Sequence, residues 1–458
     1  MGRRTVGLGV AAGVLLAGAV AVPAHANTPV GCSDLALIQA INDSNSGAND
    51  HILDLTSYCV YTLTDADGTL PVITQALTIH GHNATIRRDP NAGTDFRIFE
   101  VGGTSLTMDT LTVMNGHDSF GGGVLLNTNG GSLTGTDVNF QGNTANGFGG
   151  AIEVGASTTL SLTRGTITDN RSASGGGGID NTGATAITLD SVTMSRNLAT
   201  EGHGAALYLD TSQPSTITNS TISNNTALTG GGGLFITDNT PLTVTGSRII
   251  SNRVANSNEG GGGIDNGSGV VTIMDSTISG NTVTTNTGTS DDARRGGGIK
   301  HVDGQLTLDH TTVANNRVIG ESSGGGGIAA VPLIGPSTLT LQNNTTVTGN
   351  LVSGRYAQGG GLHTDNTSAA VTVFVNGSHI DANKVTGTGS APAGIYNNGG
   401  TWAVLTNSTV NNNTAPIAPA PGGIYTTVAI TNTSGSAFTG NTPTNCLLSP
   451  APVTGCVG

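Results

Sequence analysis

The sequence predicts an all-β solenoid of about 11 regular coils, each built from short parallel strands, behind an N-terminal helical cap. Three observations predict it. Eleven times an apolar residue is followed three positions later by asparagine: Phe140/Asn143, Ile167/Asn170, Met194/Asn197, Ile222/Asn225, Ile249/Asn252, Ile278/Asn281, Val313/Asn316, Val347/Asn350, Ile380/Asn383, Val410/Asn413 and Phe438/Asn441. Successive asparagines lie 27, 27, 28, 27, 29, 35, 34, 33, 30 and 28 residues apart, a period that marks one turn of structure per repeat. About 17 to 22 residues upstream of each asparagine a glycine cluster runs into an apolar residue, as at 149–152, 175–179, 230–234 and 359–362. Between the two landmarks apolar residues alternate with Thr and Ser, as around Ile187 and Leu189 or Leu306 and Leu308, the pattern of strands with one buried face.

Each recurring residue type has a physical reason. Strands stacked in consecutive coils lie about 4.8 Å apart, so a side chain at a corner meets its own copy at that spacing. An asparagine amide donates to one copy and accepts from the other, and asparagine also tolerates left-handed backbone at a turn. Glycine serves the opposite corner, where positive φ or a close backbone approach excludes a side chain. Inward Ile, Leu and Val then stack into a continuous core.

The ends differ from the middle. Arg3 and Arg4, an apolar run over 6–22 and the Ala24-His25-Ala26 tripeptide predict a secretory signal over 1–26, with a mature chain starting near Asn27. Leu35, Ile38 and Ile41 at helical spacing behind Ser33 or Asp34 predict a short amphipathic helix over 34–45 that covers the first coil. The stretch 27–115 is expected to hold this cap and irregular first coils, 116–441 the regular repeats, and 442–458 a Pro-rich tail sealing the far end.

Charged residues make up only 10% of the chain, and Gly and Pro (72 and 15 residues) about 19%. Disorder is nonetheless excluded for the repeats, because the glycines recur at fixed places in an alternating apolar pattern. Removing the signal takes two arginines away and moves the formal charge from -13 to -15. So acidic and lysine-poor a surface excludes nucleic acid as a partner and disfavours acidic polymers, leaving cationic wall components and neutral glycans. No segment of the mature chain reads as a membrane span. In an exported chain Cys32 with Cys59 and Cys446 with Cys456 are expected as disulfides, since the other connectivities would tie together the ends of a rod.

The GGAI of residues 149–152 and the FxxN of 140–143 and 438–441 resemble the repeat of chlamydial polymorphic outer membrane proteins. The wider chain resembles the secreted right-handed parallel β-helix proteins of bacteria. In these a Cys, a short helix ending in Ala-Ile/Asn, a Tyr-Thr-Leu stretch and a Leu-Thr-Ile-x-Gly-x-x-Ala-Thr-Ile motif precede the coils. Cys32, the helix end at 40–42, the stretch 61–63 and the motif at 77–86 stand in those places. The resemblance implies a right-handed single-stranded parallel β-helix of the pectin lyase-like kind. No segment after Asn441 reads as the autotransporter barrel of the polymorphic proteins, so free secretion or loose wall association is the expectation. The fold is shared with polysaccharide-active enzymes, but a fold does not carry chemistry with it.

Chemistry is expected on one column. If each post-glycine Ile or Leu points inward, the next residue faces solvent and stacks with its copies: Leu125, Glu153, Asp180, Tyr208, Phe235, Asp265, Lys300, Ala329, His363, Tyr396 and Tyr425. Tyr208, Phe235, Asp265, Lys300, His363, Tyr396 and Tyr425 are the candidate ligand contacts, with rings to stack on sugar faces and charges to hold hydroxyls. Glu153, Asp180 and Lys300 are the weaker catalytic candidates. Glu153 and Asp180 are one coil apart, about 5 Å at the backbone, near the separation of a retaining glycosidase pair. Asp180 and Asp265 are three coils apart, roughly 14 Å, too far to share an ion, and Lys300 beside Asp265 reads as a surface ion pair of little energetic weight. From ladder asparagine to next core residue the distance is 9 or 10 in the early coils but 12, 18, 12, 12, 12 and 11 from Asn252 onward. The longest loop carries Asp291, Asp292, Arg294 and Arg295 just before Lys300 and His301, and insertions gathered at one corner point to a binding side. No metal or phosphate motif is present, since the glycine clusters precede strands, and no cofactor is expected. The sequence thus reads as a secreted, non-catalytic surface, adhesive or glycan-binding protein with polysaccharide as partner. The alternative is a polysaccharide lyase or glycoside hydrolase working along the outward column.

Overall fold

The computed structural model describes residues 27–127, 130–182, 185–255, 260–285, 295–321, 324–366, 369–389, 392–416 and 420–458. The expected export segment 1–26 and, in the longest loop, Asp291, Asp292 and Arg294 lie outside them. The chain winds as a right-handed parallel β-helix of about 13 turns. Among the described residues the strands form sheet A, 24-stranded with two strands per regular coil, sheet B with 12 strands and sheet C with 10, all paired in parallel.

The regular coils predicted from the asparagines number fewer than the turns because sheet A continues back through the first part of the chain. Leu53, Ile79 and Met108 lie in register there without the asparagine motif, ahead of Gly135 in the first coil that has it. Helix α1 (Asp34–Ser46) ends one residue beyond the predicted 45 and buries Leu37, Ala40, Ile41 and Ser44. The Ser33 hydroxyl caps it by accepting from the Ala36 N–H at 3.2 Å, and Gly47 closes it at φ 73°. Disulfides join Cys32 to Cys59 and Cys446 to Cys456, one at each end of the rod. No described helix is long and apolar enough to cross a membrane.

The apolar residue of each repeat stacks on its copy: Phe140, Ile167, Met194, Ile222, Ile249, Ile278, Val313, Val347 and Ile380 form one buried column. Beside it run the asparagines. Asn170 Nδ2 donates to Asn197 Oδ1 at 3.0 Å and to the Phe140 carbonyl of the preceding coil at 3.1 Å, while its backbone N–H donates to the same Asn197 oxygen. The pattern runs without a gap from Asn143 through Asn170, Asn197, Asn225, Asn252, Asn281, Asn316, Asn350 and Asn383 to Asn413 and Asn441. The Asn441 amide meets Asn445 Oδ1 at 2.9 Å and ends the ladder in the tail. From Asn170 to Asn441 each amide thus uses both donors and its oxygen twice, while the Asn143 oxygen at the head of the ladder accepts from Gly116 N–H, so a polar column is buried with its hydrogen bonds made.

One expectation for these asparagines is corrected. None of them takes left-handed backbone: at Asn225, Asn316, Asn350 and Asn383, all fully buried, it is the residue before that does, namely Asn224, Asn315, Gly349 and Ala382 at φ 56°, 56°, 64° and 58°. The same holds for Gly142, Asp169, Arg196, Ser251 and Gly280 ahead of Asn143, Asn170, Asn197, Asn252 and Asn281. The reason is that the turn residue points outward, whereas the ladder residue must aim its amide along the rod axis from the start of the next strand. The ladder position is therefore selected for its amide and not for its backbone, and with every polar group turned to its neighbours it is structural and offers nothing to a ligand. At the opposite corner a Cβ on Gly150 would lie 2.2 Å from the Gly177 carbonyl oxygen, so the next coil excludes any side chain there.

Removing one rung leaves two buried donors of the preceding coil without an acceptor, each costing about 1–3 kcal/mol. Asn281→Ala is expected to destabilise the rod by about 3 kcal/mol. Asn441→Ala should cost clearly less, because Asn441 is 6% exposed and water can replace the lost acceptor. Urea midpoints of the two variants against wild type check this, and equal losses would remove the ladder as the source.

Candidate functional site

The column expected on the outer side of sheet B is present in register from end to end, with Glu100, Leu125, Glu153, Asp180, Tyr208, Phe235, Asp265, Lys300, Ala329, His363, Tyr396 and Tyr425 paired in succession. It does not form an open face. Glu153, Asp180, Asp265, Ala329 and His363 are buried, Asp180 and Ala329 completely. The cause is the chain just before each glycine turn, which folds back over the column: Phe148, Gly175 and His203 bridge to one another there. Strand alternation separates the inside of the coil from the outside, but this roof lies outside the coil and covers what alternation leaves exposed.

Glycines in the roof make room for acids beneath it. A Cβ on Gly175 would come 3.0 Å from Asp180 Oδ2, and one on Gly230 would come 2.6 Å from Asp265 Oδ2. Neither oxygen of Asp180, nor Glu153 Oε2, has a hydrogen-bond partner among the described residues. Burial pushes the Glu153 carboxyl up to about 8. Burial first, then the neighbouring Glu153 and Asp210, drive Asp180 well above the usual carboxylate range. Burial therefore favours the neutral form of both acids. His363, also without a partner for either ring nitrogen among the described residues, is pushed down by burial to about 3 and stays an uncharged ring.

The aromatic candidates fall into two groups separated by Ala329. On one side Tyr208 and Phe235 stack with centroids 5.2 Å apart, and the His203 ring of the roof lies 4.4 Å from Phe235. On the other, His363, Tyr396 and Tyr425 stack at 5.0 and 5.3 Å. Lys300 Nζ lies 3.3 Å from Asp265 Oδ2 with side-chain exposures of 13% and 1%. This corrects the expected surface pair: the ions are withdrawn from water, and breaking one partner away would leave the other charge buried. His301 is core, its ring bridging Asn266 Nδ2 and the Thr338 carbonyl, and the described member of the long loop's charges, Arg295, is buried.

A groove of about 880 Å³ opens at Phe235, Asp265 and Lys300. Its far wall is the segment 331–336, which links sheet B to sheet A. Asp303 pins this wall by accepting from the Leu333 and Ile334 N–H groups at 3.0 and 3.2 Å, leaving Leu333 51% and Ile334 88% exposed. Asp238 lies at the rim. Periodicity does not single out this wall, Asp238, Asp303 or His203. The available signal was the VPLIGP run, an apolar pair between prolines where the two preceding coils turn in three and two residues. The lengthened loops counted in the sequence lie at the other corner. Among the described residues no cluster of three or more His, Cys, Asp or Glu side chains is arranged to hold a metal ion.

A family model described as a right-handed beta helix region matches residues 98–273. The chain is similar to that family over this stretch. No curated protein matches the sequence. Among solved structures, a double mutant of the tailspike protein of E. coli bacteriophage HK620 is 14% identical with a TM-score of 0.36, over 92% of this chain and 74% of that one. The same tailspike protein in complex with a pentasaccharide is 13% identical, with the same coverage and a TM-score of 0.33. The A-module of the Azotobacter vinelandii mannuronan C-5 epimerase AlgE6 is 12% identical with a TM-score of 0.28, over 83% of this chain and 96% of that one. No function passes to this chain from likenesses of this size.

A carboxyl with a raised folded pKa stabilises below its unfolded value and loses that contribution as pH rises through the folded value. For Glu153 this window runs from about 4.5 to about 8. Buried His363 works the other way, losing stability as pH falls through 6.5, the ordinary histidine value. Glu153→Gln isolates the first effect: its melting temperature should match wild type near the low end of the window and exceed it by a growing margin towards and above the high end. A constant difference across pH would contradict the assignment.

Proposed function

We propose that this chain is a secreted, non-catalytic β-helix protein that binds glycans in the groove between Phe235, Asp265 and Lys300 and the 331–336 wall. The groove itself carries this reading. It offers an aromatic face at its floor, a Lys300 ammonium fixed by Asp265 and exposed enough to donate to a hydroxyl, and an apolar lip at Leu333 and Ile334. Apolar pockets with a few convergent polar groups are the usual form of ligand sites, and a sugar ring presents an apolar face and a polar edge to match. The Tyr396 and Tyr425 stack continues the same outer face further along the rod. Export through the segment 1–26, disulfides at both ends and the resemblance of the GGAI and FxxN repeats to those of polymorphic outer membrane proteins complete the reading, with free secretion or loose wall association as the consequence.

One feature supports the enzymatic alternative, since Glu153 and Asp180 are register neighbours as in a two-carboxylate site. Against it, a retaining pair needs one ionised carboxylate as nucleophile, and here burial favours the neutral form of both. Lys300, the third catalytic candidate, is occupied by Asp265.

Phe235→Ala is expected to weaken binding to whichever wall or plant polysaccharide the protein retains by about tenfold, roughly the 1.4 kcal/mol of one good ring contact. Tyr396→Ala combined with Tyr425→Ala should weaken it with little change in melting temperature. Affinity electrophoresis against a polysaccharide panel measures both, and retention unaffected by either variant would remove the binding reading. Release of reducing ends or unsaturated products from the same panel, with and without calcium, would establish the enzymatic one.

A further inference from the structure

Resting on the glycan reading of this groove, we infer that it selects by charge: it takes polymers of amino sugars bearing free, protonated amines and turns away uronate polymers. The charge count within the groove carries the inference. Asp238, Asp265 and Asp303 line it, and among the described residues Lys300 is the one cationic side chain that does. That ammonium is already engaged by Asp265, which is 1% exposed. An incoming uronate carboxylate would have to compete with the buried Asp265 for Lys300 and would sit among the Asp238 and Asp303 carboxylates, a repulsion that one shared ammonium does not offset. Asp303 is held in place by two backbone N–H groups of the wall and keeps its carboxylate turned towards the groove region they frame.

The rim strengthens the same preference. Asp210 pairs in register with Thr237, next to Asp238. Burial and the nearby Asp238 carboxyl raise the Asp210 pKa, so two crowded carboxyls there gain from any cation that comes between them. The Phe235 and Tyr208 rings, stacked within the same stretch, offer faces that attract an ammonium as well as the apolar side of a sugar. Over longer range the formal charge of -13 draws a cationic polymer in and repels an anionic one.

The test uses three hexasaccharides of matched length, one of glucosamine, one of neutral glucose and one of galacturonate, titrated calorimetrically into the mature protein at a mildly acid pH. The glucosamine hexamer should bind about tenfold more tightly than the neutral one, its affinity falling with added salt, and the galacturonate hexamer should not bind. Asp238→Asn should abolish most of the preference for glucosamine over glucose. The variant is expected to fold, since Asp238 sits at φ 50° and asparagine accepts left-handed backbone. Galacturonate binding as tightly as glucosamine, or a glucosamine affinity indifferent to both salt and Asp238→Asn, overturns charge selection. If the neutral or uronate hexamer alone binds and Phe235→Ala abolishes it, charge selection is wrong while the glycan site stands. Silence towards all three and towards the polysaccharide panel removes both.

Discussion

The structure depends on one constraint, the fixed spacing of about 4.8 Å between strands of consecutive coils. At that spacing every side chain meets its own copy above and below. A charged residue would repel its copy, and a lone polar one would lack a partner, but an amide completes itself against an identical amide. The ladder from Asn143 to Asn441 and its closing partner Asn445 is the outcome, buried and fully hydrogen-bonded. It fixes the register of the strands on either side, because a slip of one residue would break two amide bonds in every coil. A chain with few aromatics and only 35% hydrophobic residues can hold a single long core on these terms.

The same spacing governs the outer face of sheet B with a different result. Residues there vary from coil to coil, so like rarely meets like, and acids, rings and a lysine are set side by side. The roof formed by the chain before each glycine turn then withdraws several of them from water. Where the roof residue is His203, its ring packs on Phe235 of the column. Where it is glycine, as at Gly175 and Gly230, a carboxylate is drawn underneath. Buried acids without hydrogen bonds cost stability, a cost that falls where burial favours the neutral form, as at Glu153 and Asp180, and where the charge is paired, as between Asp265 and Lys300. These sites are where the repeat departs from its own rule, and departures of this kind gather where a surface has work to do.

The groove arises where two such departures meet. The column supplies a ring and an ion pair, and one elongated link between sheets supplies a facing wall held by Asp303. Neither alone makes a concavity, since a β-helix of uniform coils has flat sides. Its acid-rich lining also agrees with the charge of the whole chain, so local and long-range electrostatics act on a ligand with the same sign.

The amino-acid sequence by itself determined the coil count to within two turns of the observed 13 or so, the helical cap behind Ser33 or Asp34, both disulfides and the register of the column from Leu125 to Tyr425. All of these follow from periodicity or from short-range spacing, which a linear pattern records. Tertiary structure alone decided how exposed that column is, that Lys300 and Asp265 form a buried pair, that the left-handed backbone precedes each ladder asparagine, and that residues 331–336 stand opposite Phe235. Each depends on what a neighbouring coil or a returning turn lays over a residue. A repeat fixes which residues become neighbours along the rod, but covering a face takes a segment from outside that face, and its path is set by packing in three dimensions.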